Sequence, residues 1–152
     1  MYNTQHTNSL RVFILFIFSC LTLIAIPMNS TFTKILRILL GLILLFFGLN
    51  KFIDFMPMFE MPNAAANFLE SLKSSGYVFY VVAILEITVG LLLLINKWVP
   101  FALILFAPIS INILLFHLFL DVSDVIVAIV ISVFNAILIY KYWRAYRPLF
   151  QY

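Results

Sequence analysis

The sequence predicts an all-α membrane protein: a four-helix, up-down transmembrane bundle with an extra N-terminal transmembrane helix. Three observations carry that expectation. Hydrophobic residues make up 65% of the chain and charged residues 10%, against roughly 25% charged in soluble domains, and mean hydropathy is +1.16. Four apolar runs each approach the ~20 residues that cross a bilayer. Two of the three links between those runs are very short, which forces antiparallel neighbours.

In chain order, residues 1–11 form a polar tail and residues 12–28 an added hydrophobic helix. Val12–Ile26 is an apolar run behind Arg11 and ahead of Pro27. A cleaved signal peptide shares this outline, but cleavage would leave Lys34 and Arg37 on the wrong side of the membrane for the charge pattern of the remaining chain. The bundle occupies residues 33–143, with helices expected at Ile35–Phe55, Tyr77–Ile95, Val99–Leu120 and Val125–Trp143. Asn96, Lys97 and Trp98 make one tight turn, with a snorkelling cation and an interfacial aromatic. Asp121–Asp124 makes another. The long connection, residues 56–76, opens with Pro57 and Pro62 and continues as NAAANFLESLKSSG (Asn63–Gly76). Ala65, Phe68, Leu69 and Leu72 recur there at helical spacing, Asn63 can cap the start and Gly76 can end it. Two readings stand: an amphipathic helix on the membrane surface, acting as a lid, or a plain spacer. Residues 144–152 are a C-terminal tail.

Alternating the helices puts Lys34, Arg37, Lys97, Lys141, Arg144 and Arg147 on one side. Lys51 and Lys73 fall on the other, with Asp54, Glu60, Glu70, Asp121 and Asp124. By the positive-inside rule the first side is cytoplasmic, so the sequence predicts a multi-pass protein of the bacterial inner membrane with a cytoplasmic C-terminus. Residues 56–76 are then extracytoplasmic.

Several chemistries are excluded. Cys20 is the only cysteine, which removes an internal disulfide, a CxxC centre and a multi-thiolate metal site. The two histidines are His6, in the polar tail, and His117, so an internal bis-His haem is not expected. Most of the nine basic residues flank apolar runs, and together they form no nucleic-acid patch. No P-loop, HExxH or serine-triad pattern is present. The sequence implies no built-in cofactor, no metal site and no catalytic residue; its certain partner is the lipid bilayer.

The residue that stands out is Glu86, the one charge in Tyr77–Ile95 (YVFYVVAILEITVGLLLLI). A lone charge at the centre of a spanning helix costs roughly 2.5–3.5 kcal/mol on insertion scales, so something must compensate it. Ala83, Glu86 and Gly90 share one helical face, and the small residues allow another helix to approach closely. The first bundle helix offers Gly41 and Gly48 one heptad apart, followed by Asn50 and Lys51. The sequence favours Lys51 turning outward to Asp54, with an inward reach to Glu86 as the alternative. The third bundle helix carries Pro100 and Pro108, expected to free carbonyls and kink it, then Ser110, Asn112 and His117. Ser110 and His117 share a face, and Asn112 lies ~140° round from His117. The last helix adds Ala128, Ser132, Asn135 and Ala136. Glu86, His117, Asn112, Lys51 and Asn50 are therefore the candidate ligand-binding residues, expected in the outer half of the bundle, with Asn135 as a further member. Interhelical polar contacts of ~0.6 kcal/mol each would be the purely structural account of the same residues.

The runs GLILLFFGLNKF (Gly41–Phe52), SGY (Ser75–Tyr77), LEITVGLLLL around Glu86, and APISINILLFHLFLD (Ala107–Asp121) resemble the DoxX-like family of small bacterial membrane proteins. The resemblance covers roughly Ile35 to Trp143; Val12–Met28 departs from the family pattern as an added segment. It implies a four-helix bundle in the cytoplasmic membrane. The family name comes from subunits associated with a quinol oxidase and a thiosulfate:quinone oxidoreductase, and most members have no assigned activity. Asn50, Lys51, Glu86 and His117 sit at motif positions without an established catalytic role.

Three functional expectations follow. The first is an accessory membrane protein binding a small hydrophobic ligand, a non-covalent quinone, with Glu86 and His117 bonding its carbonyl oxygens and Phe79, Phe106 and Phe116 along its body. The second is a structural subunit of a membrane oxidoreductase, or a homo-oligomer, without its own ligand. The third is a proton-coupled carrier using Glu86.

Overall fold

The computed structural model describes residue 11, residues 30–55 and residues 61–150. The expected N-terminal helix, residues 12–28, lies outside them. Helix α1 runs Ser30–Ile53, α2 Asn63–Ser74, α3 Val78–Leu94, α4 Val99–Phe119 and α5 Val125–Lys141, followed by a single turn, α6, at Trp143–Tyr146. Short 3-10 turns occupy Val122–Asp124 and Arg147–Phe150. The chain is an all-α, multi-pass membrane protein. Helices α1 and α4 are long and apolar enough to cross a bilayer, as is α5 together with the 3-10 turn that leads into it (Val122–Lys141, 20 residues). Helix α3, with 17 residues, sits at the lower limit for a span.

The two halves of the bundle are the pairs α1–α3 and α4–α5, which close on each other through α3–α4 and α1–α5. Leu40, Leu44, Val89, Leu93, Leu103, Phe106 and Leu138 fill the centre. The outside is as apolar as the inside: Leu42, Ile84, Phe101 and Ile126 all project outward and are more than half exposed. That surface suits hydrocarbon rather than water, where patches of this extent drive association.

The seam between α1 and α3 is set by glycine. A Cβ on Gly90 would stand 2.9 Å from the Gly41 carbonyl oxygen, and one on Gly48 would stand 2.8 Å from Ile87 Cγ1. At Gly41 and Gly90 the two backbones touch because neither side carries a side chain, and at Gly48 the missing Cβ makes room for Ile87. Ala83 completes the α3 face and is fully buried.

The connections follow local chemistry. Helix α3 ends in a Schellman arrangement: the Lys97 N–H donates to the Leu92 carbonyl at 3.1 Å and the Asn96 N–H to Leu93 at 3.4 Å. Asn96 takes the left-handed conformation this needs, with φ 57. Helix α2 lies at 91° to α3 across a short break closed by Gly76, whose φ is 78. Ala65 is fully buried, and Phe68 packs against Phe116 of α4 with ring centroids 5.7 Å apart and the rings tilted by 38°. The described part of the connection, residues 61–76, is thus helical and packs against the bundle through Ala65 and Phe68.

Two local expectations are corrected. Asn63 does not cap α2; Pro62 holds that position, and its carbonyl accepts the Ala65 and Ala66 N–H groups. Pro100 does not kink α4, because it lies in the first turn, where a missing N–H leaves nothing unpaired. Pro108 is the one interior proline of α4.

Candidate functional site

The close α1–α3 seam fixes what Lys51 can reach. Three residues beyond Gly48 and in the last turn of α1, its side chain runs down the seam, and Nζ lies 2.5 Å from Glu86 Oε2. Glu86 is 1% exposed and Lys51 23%, so the ammonium joins a buried acid to the end of the bundle covered by α2. This overturns the expected outward pairing of Lys51 with Asp54. Asp54 follows the last turn of α1 in the left-handed conformation, φ 47, and its carboxylate faces Lys73 of α2 at 3.6 Å. With Asp54 paired elsewhere, the uncompensated acid inside the seam takes Lys51.

Above this pair opens a small cleft of about 80 Å³ lined by Lys51, Asp54, Lys73, Phe79 and Tyr80. The tight turn between α2 and α3 sets the Lys73 ammonium 5.2 Å from the centroid of the Phe79 ring, a cation–π contact. Tyr80 packs on Phe52 with centroids 5.6 Å apart. Two ammonium groups, one carboxylate and two aromatic rings thus surround one opening, with the Glu86 carboxylate buried behind Lys51. Counting Glu86, the formal charges balance.

The other candidates lie elsewhere. His117 is held by its own helix end: Nδ1 is 3.3 Å from the Asp121 carbonyl oxygen and 3.5 Å from Asp121 Oδ2. Among the described residues no hydrogen bond or ion pair joins it to Glu86. Asn112 faces outward and is exposed, against the expectation that it points into the bundle. The buried side of α4 is Ala102, Leu103, Phe106, Ser110, Leu114 and Leu118, and a residue two places from both Ser110 and Leu114 falls on the opposite side. Asn50 is half-buried beside Lys51. Asn135 joins a separate knot between α4 and α5: its Nδ2 donates to Ser110 Oγ at 3.2 Å, and Ser132 Oγ donates to the Ser110 carbonyl at 3.1 Å. Among the described residues Asn135 Oδ1 has no partner. Among the described residues no three His, Cys, Asp or Glu side chains gather as a metal site would require.

Sequence reasoning missed three polar residues. Lys73 entered only as a surface cation; the turn closed by Gly76 brings it to Phe79. Arg37, expected as a topology signal, is 7% exposed, and its Nη1 donates to the Leu93 carbonyl at 2.8 Å, satisfying the last turn of α3. Tyr146, beyond the last span, donates its hydroxyl to the Pro100 carbonyl at 2.8 Å and pins the C-terminal turn to the start of α4. Burial, with Tyr142 as a smaller cause, pushes the Tyr146 hydroxyl up to about 12.

The glycine seam, the NKF end of α1 and the Glu86 it pairs with all fall inside residues 32–118, the stretch matched by the DoxX family model. That match covers more than half of the chain. The protein belongs to the DoxX family. No curated protein and no solved structure matches it. The matched stretch of this DoxX protein runs from α1 nearly to the end of α4 and contains every residue lining the cleft.

Proposed function

We propose that this DoxX protein is an accessory protein of the bacterial inner membrane that binds the headgroup of a small hydrophobic ligand, a quinone, in the cleft formed by Lys51 and Lys73. The end covered by α2 faces outward and the C-terminus lies in the cytoplasm, as the cation bias supports. The observation that carries the reading is the ammonium of Lys51, held on Glu86 and turned to a cleft that already contains a second ammonium.

The balance of charge favours a neutral ligand over an anion. Lys51 is offset by Glu86 and Lys73 by Asp54, so an anion gains no net attraction, whereas a carbonyl oxygen can still accept a hydrogen bond from either ammonium. The volume argues for a headgroup alone. At about 80 Å³ the cleft is well below the ~300–1,000 Å³ that enclose a whole drug-sized ligand, and an isoprenoid tail would lie along the apolar outer surface. Phe79 and Tyr80 supply ring faces for the quinone ring. Glu86 acts as a positioning residue, buried behind Lys51 and out of the ligand's reach.

The test is a titration of the purified protein with a short-chain quinone, followed by quenching of tyrosine fluorescence. Lys73→Gln is the variant of choice because Lys73 is 38% exposed and its loss leaves the seam intact. One lost charge-assisted hydrogen bond, roughly 1.5–3 kcal/mol, weakens binding about ten-fold or more. Saturable quenching that is identical in wild type and Lys73→Gln would contradict the assignment.

A further inference from the structure

The outward face of α4 carries a polar group that lipid does not satisfy. Ile104, Pro108, Ile111, Asn112, Leu115 and Phe119 form one continuous exposed stripe along the helix. Asn112 lies seven residues, about 10 Å, from the end of α4, well inside the hydrocarbon, and its amide makes no side-chain hydrogen bond among the described residues. Pro108 adds to the mismatch, because it has no N–H to donate to the Ile104 carbonyl on the same stripe. Polar groups in a bilayer are satisfied within protein, so this face points to a second surface that meets Asn112 at its own depth.

We propose that the occupant is a second copy of this chain, docked α4 to α4 about a two-fold axis along the membrane normal. Such an axis places each residue opposite itself at equal depth. A side-chain amide both donates and accepts, so two Asn112 groups facing across the axis form reciprocal hydrogen bonds; a single copy supplies the complement of its own unsatisfied group. Any other protein would need a matching polar group at that depth. The hydrophobic segment at residues 12–28 is a poorer fit. It offers only Ser19, Cys20 and Thr22 as polar side chains, and it joins the chain at α1, which packs on α3 and α5.

The experiment measures Förster transfer between donor- and acceptor-labelled copies in liposomes over a range of protein-to-lipid ratios. Wild type shows a dimer, and Asn112→Leu, at an exposed position that keeps the fold, weakens it roughly ten-fold, the scale of an interhelical amide contact in a membrane. Ile84→Ala, on the exposed side of α3, leaves the dimer unchanged. A second measurement uses a bismaleimide on Asn112→Cys. With Cys20 replaced by serine it yields a covalent dimer through position 112. Wild type that stays monomeric at all ratios, or a dimer indifferent to Asn112→Leu, overturns the proposal. So does an intramolecular link between positions 20 and 112 when Cys20 is retained, which would give the face to the N-terminal segment.

Discussion

Removing Lys51 should damage this protein more than removing Glu86, and removing both should damage it less than removing Lys51 alone. The asymmetry comes from depth. Glu86 is 1% exposed at the middle of α3, while Lys51 is 23% exposed near the end of α1. In Lys51→Met the acid stays in the seam without its cation, and breaking a buried pair in this way costs about 3–5 kcal/mol. In Glu86→Met the lysine keeps a route to water along its own stem, so the loss is near one interhelical polar contact, about 0.6–1.7 kcal/mol. The double variant replaces the pair by apolar groups of similar length, a change that is often close to neutral. A double-mutant cycle of reversible unfolding in mixed micelles measures all three, with an expected coupling of at least about 2 kcal/mol. Additive losses, within about 0.5 kcal/mol, would refute the reasoning, and so would a Glu86→Met loss larger than that of Lys51→Met.

Other expectations follow from the same geometry. Gly90→Ala should destabilise by about 1–3 kcal/mol in the same unfolding assay, because its Cβ would meet backbone, the Gly41 carbonyl at 2.9 Å and the Leu45 nitrogen at 3.2 Å. Gly76→Ala, which has nothing within 4 Å of its Cβ, should still cost about 1 kcal/mol through its positive φ. Arg37→Met removes the charged donor from the Leu93 carbonyl, leaving it only the longer Asn96 N–H contact at 3.4 Å, and should cost about 1.5–3 kcal/mol; Arg37→Lys, if it restores most of that, identifies the cationic hydrogen bond as the cause. Tyr146 predicts an alkaline limit. Its protonated hydroxyl is favoured in the folded state, so its contribution is intact below the ordinary tyrosine value of ~10 and is lost as pH rises toward about 12. Tyr146→Phe should flatten that part of the stability–pH curve, visible as a smaller fall in unfolding temperature over the same range.

Much of this was legible in the sequence, for reasons that differ by residue. The spans and the short turns follow from long apolar runs and the cost of unpaired backbone in lipid. The α1–α3 seam was readable because Gly41, Gly48, Ala83 and Gly90 repeat on two helical faces, and small residues mark close approach in membranes. The partner of Lys51 was not readable. Asp54 lies three positions away in sequence, and only the turned backbone at Asp54 and the arrival of Lys73 release Lys51 to Glu86. The side of α4 that carries Asn112 was also hidden. That helix is apolar all round, so hydrophobic periodicity cannot tell the core side from the lipid side; the buried series through Ala102, Phe106, Ser110 and Leu114 appears only once α3 and α5 are packed against it. Lys73 entered the cleft through a turn whose angle no local pattern specifies.

The cleft's role is tested most directly by mass spectrometry of the lipids that co-purify with the protein in mild detergent, with wild type beside Lys73→Gln. A quinone enriched in wild type and depleted about ten-fold in the variant is the predicted result. Equal lipid content in two equally folded proteins would contradict the assignment of the Lys51–Lys73 cleft as a ligand site.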